Sequence, residues 1–87
     1  MMTAAQLRAA RALLGIDQKT LAELAGVSVP TVQRMEASDG TVRGVVDSLT
    51  KVIDALNNAG IELIGDGAAS MDGGRGVRLA KKAGNAP

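Results

Sequence analysis

Apolar positions recur at helical spacing in four stretches of this chain, then give way to short alternating runs near its end. From Thr3 to Leu14, Leu7, Ala10, Leu13 and Leu14 supply the buried side of a first helix, which Gly15 ends. Thr3-x-x-Gln6 fits a capping box, and Met2 with Leu7 gives the apolar pair that fixes how the chain enters the helix. Asp17 caps a second helix from Gln18 to about Ala25. Ser28, after a Gly26-Val27-Ser28 turn, caps a third from Val29 to about Glu36. Both starts repeat the apolar pair, as Ile16 with Leu21 and Val27 with Val32. Leu21, Leu24, Val32 and Met35 can then close one small core, with Ala22 small enough to let the third helix cross nearby.

Ala37 to Gly40 reads as a loop, and a fourth helix is expected from Thr41 or Val42 to Asn58. Its stripe is Val42, Val45, Val46, Leu49, Val52, Ile53 and Leu56, and Asp47 and Lys51 form an i,i+4 pair on the outer side. Beyond Gly60, Ile61–Ile64 and Val77–Leu79 are strand candidates around the glycine-rich segment from Gly65 to Gly76. A hairpin is the simplest arrangement. Two strands alone are marginal in water and their edges invite pairing, so the hairpin should dock on the fourth helix or join its equivalent in a second subunit. Residues 81–87 are expected to be disordered.

The stretch Gln18-x-x-Leu21-Ala22-x-x-Ala25-Gly26-Val27-Ser28-x-x-Thr31-Val32-x-x-Met35-Glu36 resembles the helix-turn-helix of Cro/C1-type (XRE family) bacterial and phage transcriptional regulators. The likeness covers about the first 58 residues. It implies a mostly α fold: a lambda-repressor-like bundle of about four helices with a short C-terminal β-hairpin or strand for dimerisation. Residues 1–59 become the DNA-binding domain and 60–80 the dimerisation element. The resemblance further implies that Arg11 is structural and pairs with Glu36, an ion pair holding the first helix to the third. Arg8, one position off that face, reads as solvated.

Composition adds bounds. The chain has 87 residues, nearly half of them apolar, and no Phe, Tyr, Trp, Cys or His. Its core must be built from Leu, Ile, Val, Met and Ala, which suits close-packed short helices and disfavours a large ligand pocket. Without Cys or His there is no disulfide, no common metal ligand and no usual general base, so no cofactor, metal or enzymatic activity is expected. The glycine motifs Gly65-x-Gly67 and Gly73-Gly74-Arg75-Gly76 lack the Lys-Ser/Thr and the crossover that a phosphate loop needs. With no run long enough to span a bilayer and no signal pattern, a cytoplasmic, nucleoid-associated protein with no membrane partner is the default. The net charge is only +1. Affinity for DNA must therefore come from placed contacts and dimerisation.

The resemblance distributes the DNA-binding roles. Gln18 and Lys19 face the phosphates at the start of the second helix. Ser28, Val29, Pro30, Thr31, Gln33 and Arg34 lie on or near the exposed side of the third, with base reading at Val29, Pro30 and Arg34. Val29 and Pro30 have no side-chain donor and suit a thymine methyl. Arg34 suits bidentate readout of guanine or else a phosphate, and Gln33 either adenine or phosphate. Arg43, helped by Thr41, is a phosphate contact. Val52, Leu56, Ile61, Leu63, Val77 and Leu79 are the expected dimer contacts. The function expected is sequence-specific regulation, more naturally repression, by a homodimer on an inverted repeat of double-stranded DNA. The alternatives are an antitoxin whose segment beyond Gly60 engages a toxin, and a protein-interaction module or antiactivator without DNA binding.

Overall fold

The computed structural model describes residues 2–42, 44, 46–65 and 73–80. Four helices run in order: α1 (Ala4–Leu14), α2 (Gln18–Ala25), α3 (Val29–Glu36) and α4 (Val46–Asn58). Two strands, β1 (Ile61–Ile64) and β2 (Gly76–Leu79), close the chain as an antiparallel pair. The expected Arg43 contact, Val45, the middle of the glycine-rich segment and the tail from Lys81 lie outside the described residues.

The helix starts follow from their caps. Thr3 Oγ1 accepts the Gln6 N–H at 3.1 Å while Gln6 Oε1 accepts the Thr3 N–H at 2.9 Å, a reciprocal box that satisfies both donors. Asp17 and Ser28 cap α2 and α3 through the N–H groups of Thr20 and Thr31. Gly26 ends α2 with a φ of 71°, the left-handed geometry that a side chain would resist.

The core joins Leu7 and Ala10 of α1, Leu21 and Ala22 of α2, Val32 and Met35 of α3, Leu49, Val52 and Leu56 of α4, and Ile61 of β1. It contains no aromatic ring, and its shape comes from branched aliphatics and methionine seated against alanine.

Three expectations are corrected. Leu24 is 58% exposed and Leu13 is 46% exposed, so neither closes the core. On α2 the buried positions are Leu21, Ala22 and Ala25, because alanines let α3 and α4 come close and rotate Leu24 outward. The fourth helix starts later than its apolar pattern suggests. Val42 is buried, but as extended chain: its N–H donates to Met2 O, and Ala4 N–H donates to Gly40 O, both at 2.9 Å. Thr41 bridges to Thr3 in the same short ladder. A long-range backbone pairing thus replaces the first turn of the expected helix, and Val46 at its actual start is 72% exposed.

The strands pair Ile61 with Leu79, Glu62 with Arg78, Leu63 with Val77 and Ile64 with Gly76. One face carries Ile61, Leu63 and Val77 against the core, packed on α1 as well as on the expected α4. The opposite face carries the Glu62–Arg78 pair at 2.6 Å. Gln6 makes the α1 attachment specific: its Nε2 donates to Ile64 O at 2.9 Å and to Gly76 O at 2.8 Å, one carbonyl from each strand. Val52, Leu56 and Ile61, expected at a dimer interface, have 0%, 0% and 3% of their surface exposed, so the chain's own core takes them up. Leu63 and Val77 are half-buried, and Leu79 is 49% exposed.

Candidate nucleic-acid interface

Helix α3 divides cleanly by burial. Val32 and Met35 point inward with 0% and 1% exposure. Pro30, Gln33 and Arg34 are exposed, and Val29 and Thr31 are half-buried at the rim. Pro30 sits in the first turn, where its missing N–H has no helical partner to lose. Beside it runs a hydroxyl relay. Ser28 Oγ accepts the Thr31 N–H at 3.2 Å and shares a hydrogen bond with Thr31 Oγ1 at 2.8 Å. Arg34 Nη2 donates to Thr31 Oγ1 at 3.4 Å, so the guanidinium lies along the helix surface toward its N-terminal end.

Glu36 closes α3 from within. Its side chain is 5% exposed and its carboxylate accepts Arg11 Nε at 2.7 Å, Arg11 Nη2 at 2.9 Å and Gln18 Nε2 at 3.1 Å. One carboxylate therefore ties α1, α2 and α3. Arg11 also donates to Ile16 O in the α1–α2 turn at 3.1 Å. Burial pushes the Glu36 carboxyl up. The hydrogen bonds from Arg11 and Gln18 and the charges of Arg11 and Arg8 outweigh it and hold the group below the ordinary carboxylate value. The Glu36 hydrogen bond raises Arg11 in turn.

Two residues act beyond the roles their sequence context suggests. Arg8 is not simply solvated: Nη1 donates to the Glu36 carbonyl, where the unpaired carbonyls at the end of α3 favour a cation. Gln6 serves the capping box, as its spacing indicates, but its hold on both strands depends on a contact across the fold and leaves no local signal.

The other residues expected to touch DNA are distributed around this face. Gln18 has part of its amide engaged by Glu36, and Lys19 beside it at the start of α2 is exposed. The Asp17 cap is held below the ordinary carboxylate value, first by the Thr20 backbone N–H and then by the Thr20 hydroxyl. Thr41 is exposed on the segment that Thr3 braces, and Arg43 is outside the described residues. Among the described residues, no group of carboxylates could hold a metal, and no helix is long and apolar enough to cross a membrane.

Residues 7–44 match the family model described as helix-turn-helix. That model is the Cro/C1-type helix-turn-helix of the XRE family, and the segment is similar to it. No curated protein matches the chain significantly. The match runs from within α1 to the segment before α4 and leaves α4 and the sheet outside it. The match supports a DNA-binding helix-turn-helix and suggests double-stranded DNA as its ligand.

Proposed function

We propose that this protein binds an inverted repeat in double-stranded DNA as a homodimer and represses transcription by occupying the promoter. The observation that carries the reading is the outer face of α3, where Pro30, Gln33 and Arg34 stand free of the core that Val32 and Met35 anchor. A helix placed N-terminus first in the major groove would bring Val29 and Pro30 to a thymine methyl and Arg34 to guanine O6 and N7. Gln33 would reach an adjacent adenine or phosphate, with Ser28 and Thr31 at the groove edge. Lys19, the remaining amide hydrogen of Gln18 and the free N–H groups opening α2 are suited to one phosphate strand. Thr41 and Arg43 are assigned to the other flank.

Two half-sites about one helical turn apart are needed, since one α3 offers few base contacts to a chain with little net charge. The test is selection of bound fragments from genomic DNA by wild type and Arg34→Ala at two salt concentrations. An enriched inverted repeat is expected, with preference at the guanine position relaxed in the variant by about 1–3 kcal/mol. Absence of any enriched site would defeat the regulator reading. A uniform loss across sequences would move Arg34 to phosphate.

A further inference from the structure

Among the described residues, two polar side chains are buried: Glu36, which ties the three helices of the helix-turn-helix, and Gln6, which faces elsewhere. The Gln6 amide is fully committed. Its Nε2 gives one hydrogen to Ile64 O at 2.9 Å and the other to Gly76 O at 2.8 Å. Its Oε1 accepts the Thr3 N–H at 2.9 Å and the Thr3 hydroxyl at 3.3 Å. Half of the amide thus belongs to the sheet and half to Thr3.

Thr3 has a second attachment. It bridges Thr41, and the bonds from Ala4 N–H to Gly40 O and from Val42 N–H to Met2 O, both 2.9 Å, close a short antiparallel ladder around the pair. In such a pair the facing residues turn their own N–H and C=O outward. The outward N–H of Thr3 is the one that Gln6 accepts. A chain of direct bonds therefore runs from the end pair of the sheet, through one amide, to Thr3 and the ladder with residues 40–42.

That end of the sheet depends on Gln6. The row packed on the core stops at Leu63 and Val77. In the next pair Gly76 has no side chain, and Ile64 points to the other side of its strand from Leu63. What fastens this pair to α1 is the Gln6 amide.

From this chain of bonds we infer that Gln6 is a positioning residue, which holds residues 40–42 in place only while the 64/76 end of the sheet is docked on α1. The inference rests on the DNA-binding reading, in which exposed Thr41 flanks the recognition helix, and adds a regulation to it. Opening of that end weakens the grip on DNA. With the sheet docked, two carbonyls fix the amide and its oxygen stays on Thr3. With the end open, Nε2 keeps two buried hydrogens without an acceptor, and the amide turns out to water. Thr3 then loses the acceptor for its N–H, and its pairing with Thr41 is left to the flanking bonds alone. Glu36 makes no bond to this chain, so the packing of α2 and α3 is untouched.

The test is native-state hydrogen exchange and DNA titration on the full chain, arranged as a double-mutant cycle. Ile64→Gly loosens the end pair and leaves Leu63 and Val77 in place. Gln6→Met removes the amide and keeps an unbranched, flexible side chain. The DNA is the inverted repeat enriched by wild type.

In the wild-type background, Ile64→Gly is expected to speed exchange at the Ala4 and Val42 amides about tenfold, with Val32 and Met35 unmoved. Affinity for the repeat should fall several-fold alongside. In the Gln6→Met background Ile64→Gly should add nothing to either, because the connection is already cut. Faster exchange confined to the sheet, or an Ile64→Gly effect that survives in Gln6→Met, overturns the positioning role. Coupled exchange with unchanged affinity overturns the regulation. Coupled exchange in a protein that binds no DNA supports the connection within the fold and overturns the reading on which its function rests.

Discussion

The helix-turn-helix body and the C-terminal sheet are held by different physics. The body is tied by one carboxylate that three helices share, and Leu7, Leu21, Val32 and Met35 of the same helices form its apolar core. The sheet is short, half of it faces solvent, and it is fastened by one apolar row and by the Gln6 amide. A charge network in the body fixes the relative angle of helices, which a recognition surface requires. A lightly fastened sheet can open locally while the body stays closed.

The sharpest way to break the comparison is at its centre. Glu36→Ala should cost about 2–3 kcal/mol, because it leaves Arg11 partly buried without its partner. Urea unfolding followed by circular dichroism measures this, and the loss should spread through the whole helical transition.

Acid attacks the same point less severely. The folded Glu36 carboxyl titrates below its unfolded value, so its contribution is fully present above the ordinary carboxylate range and fades as pH falls through the folded value. Wild type should therefore lose stability on acidification, and Glu36→Gln should flatten that limb. Melting midpoints across a pH series of both proteins decide it.

The smallest effect belongs to the sheet. Gln6→Ala should cost about 1–2 kcal/mol, since Ile64 and Gly76 keep their ladder partners while the Thr3 N–H loses its acceptor in the α1 cap. Hydrogen exchange should quicken at Leu63 to Ile64 and at Gly76 to Val77 while amides of α2 and α3 stay protected. Equal acceleration in both regions would show that the two are one cooperative unit.

Much of this architecture is legible in the sequence because its signals are local. Asp17, Ser28 and Gly26 mark the ends of α2 and α3, and the alternation from Ile61 to Ile64 marks the first strand. What stays hidden depends on chain segments far apart. Val42 continues the stripe of the fourth helix by spacing, yet its N–H goes to Met2, which the periodicity cannot encode. Leu24 shares the period of Leu21 but is turned outward because Ala22 and Ala25 set the inward face. On the recognition face, the residue types and the Ser28 cap are readable, whereas the bond from Thr31 to Arg34 and the engagement of Gln18 by Glu36 require coordinates.

The division of α3 bears on how such a protein can change over generations. Its inward positions, Val32, Met35 and Glu36, carry the packing, and Pro30, Gln33 and Arg34 bear almost none of it. Substitutions at the outer positions can therefore accumulate without eroding the fold, and a lineage could drift toward new targets while the inner residues stay as they are.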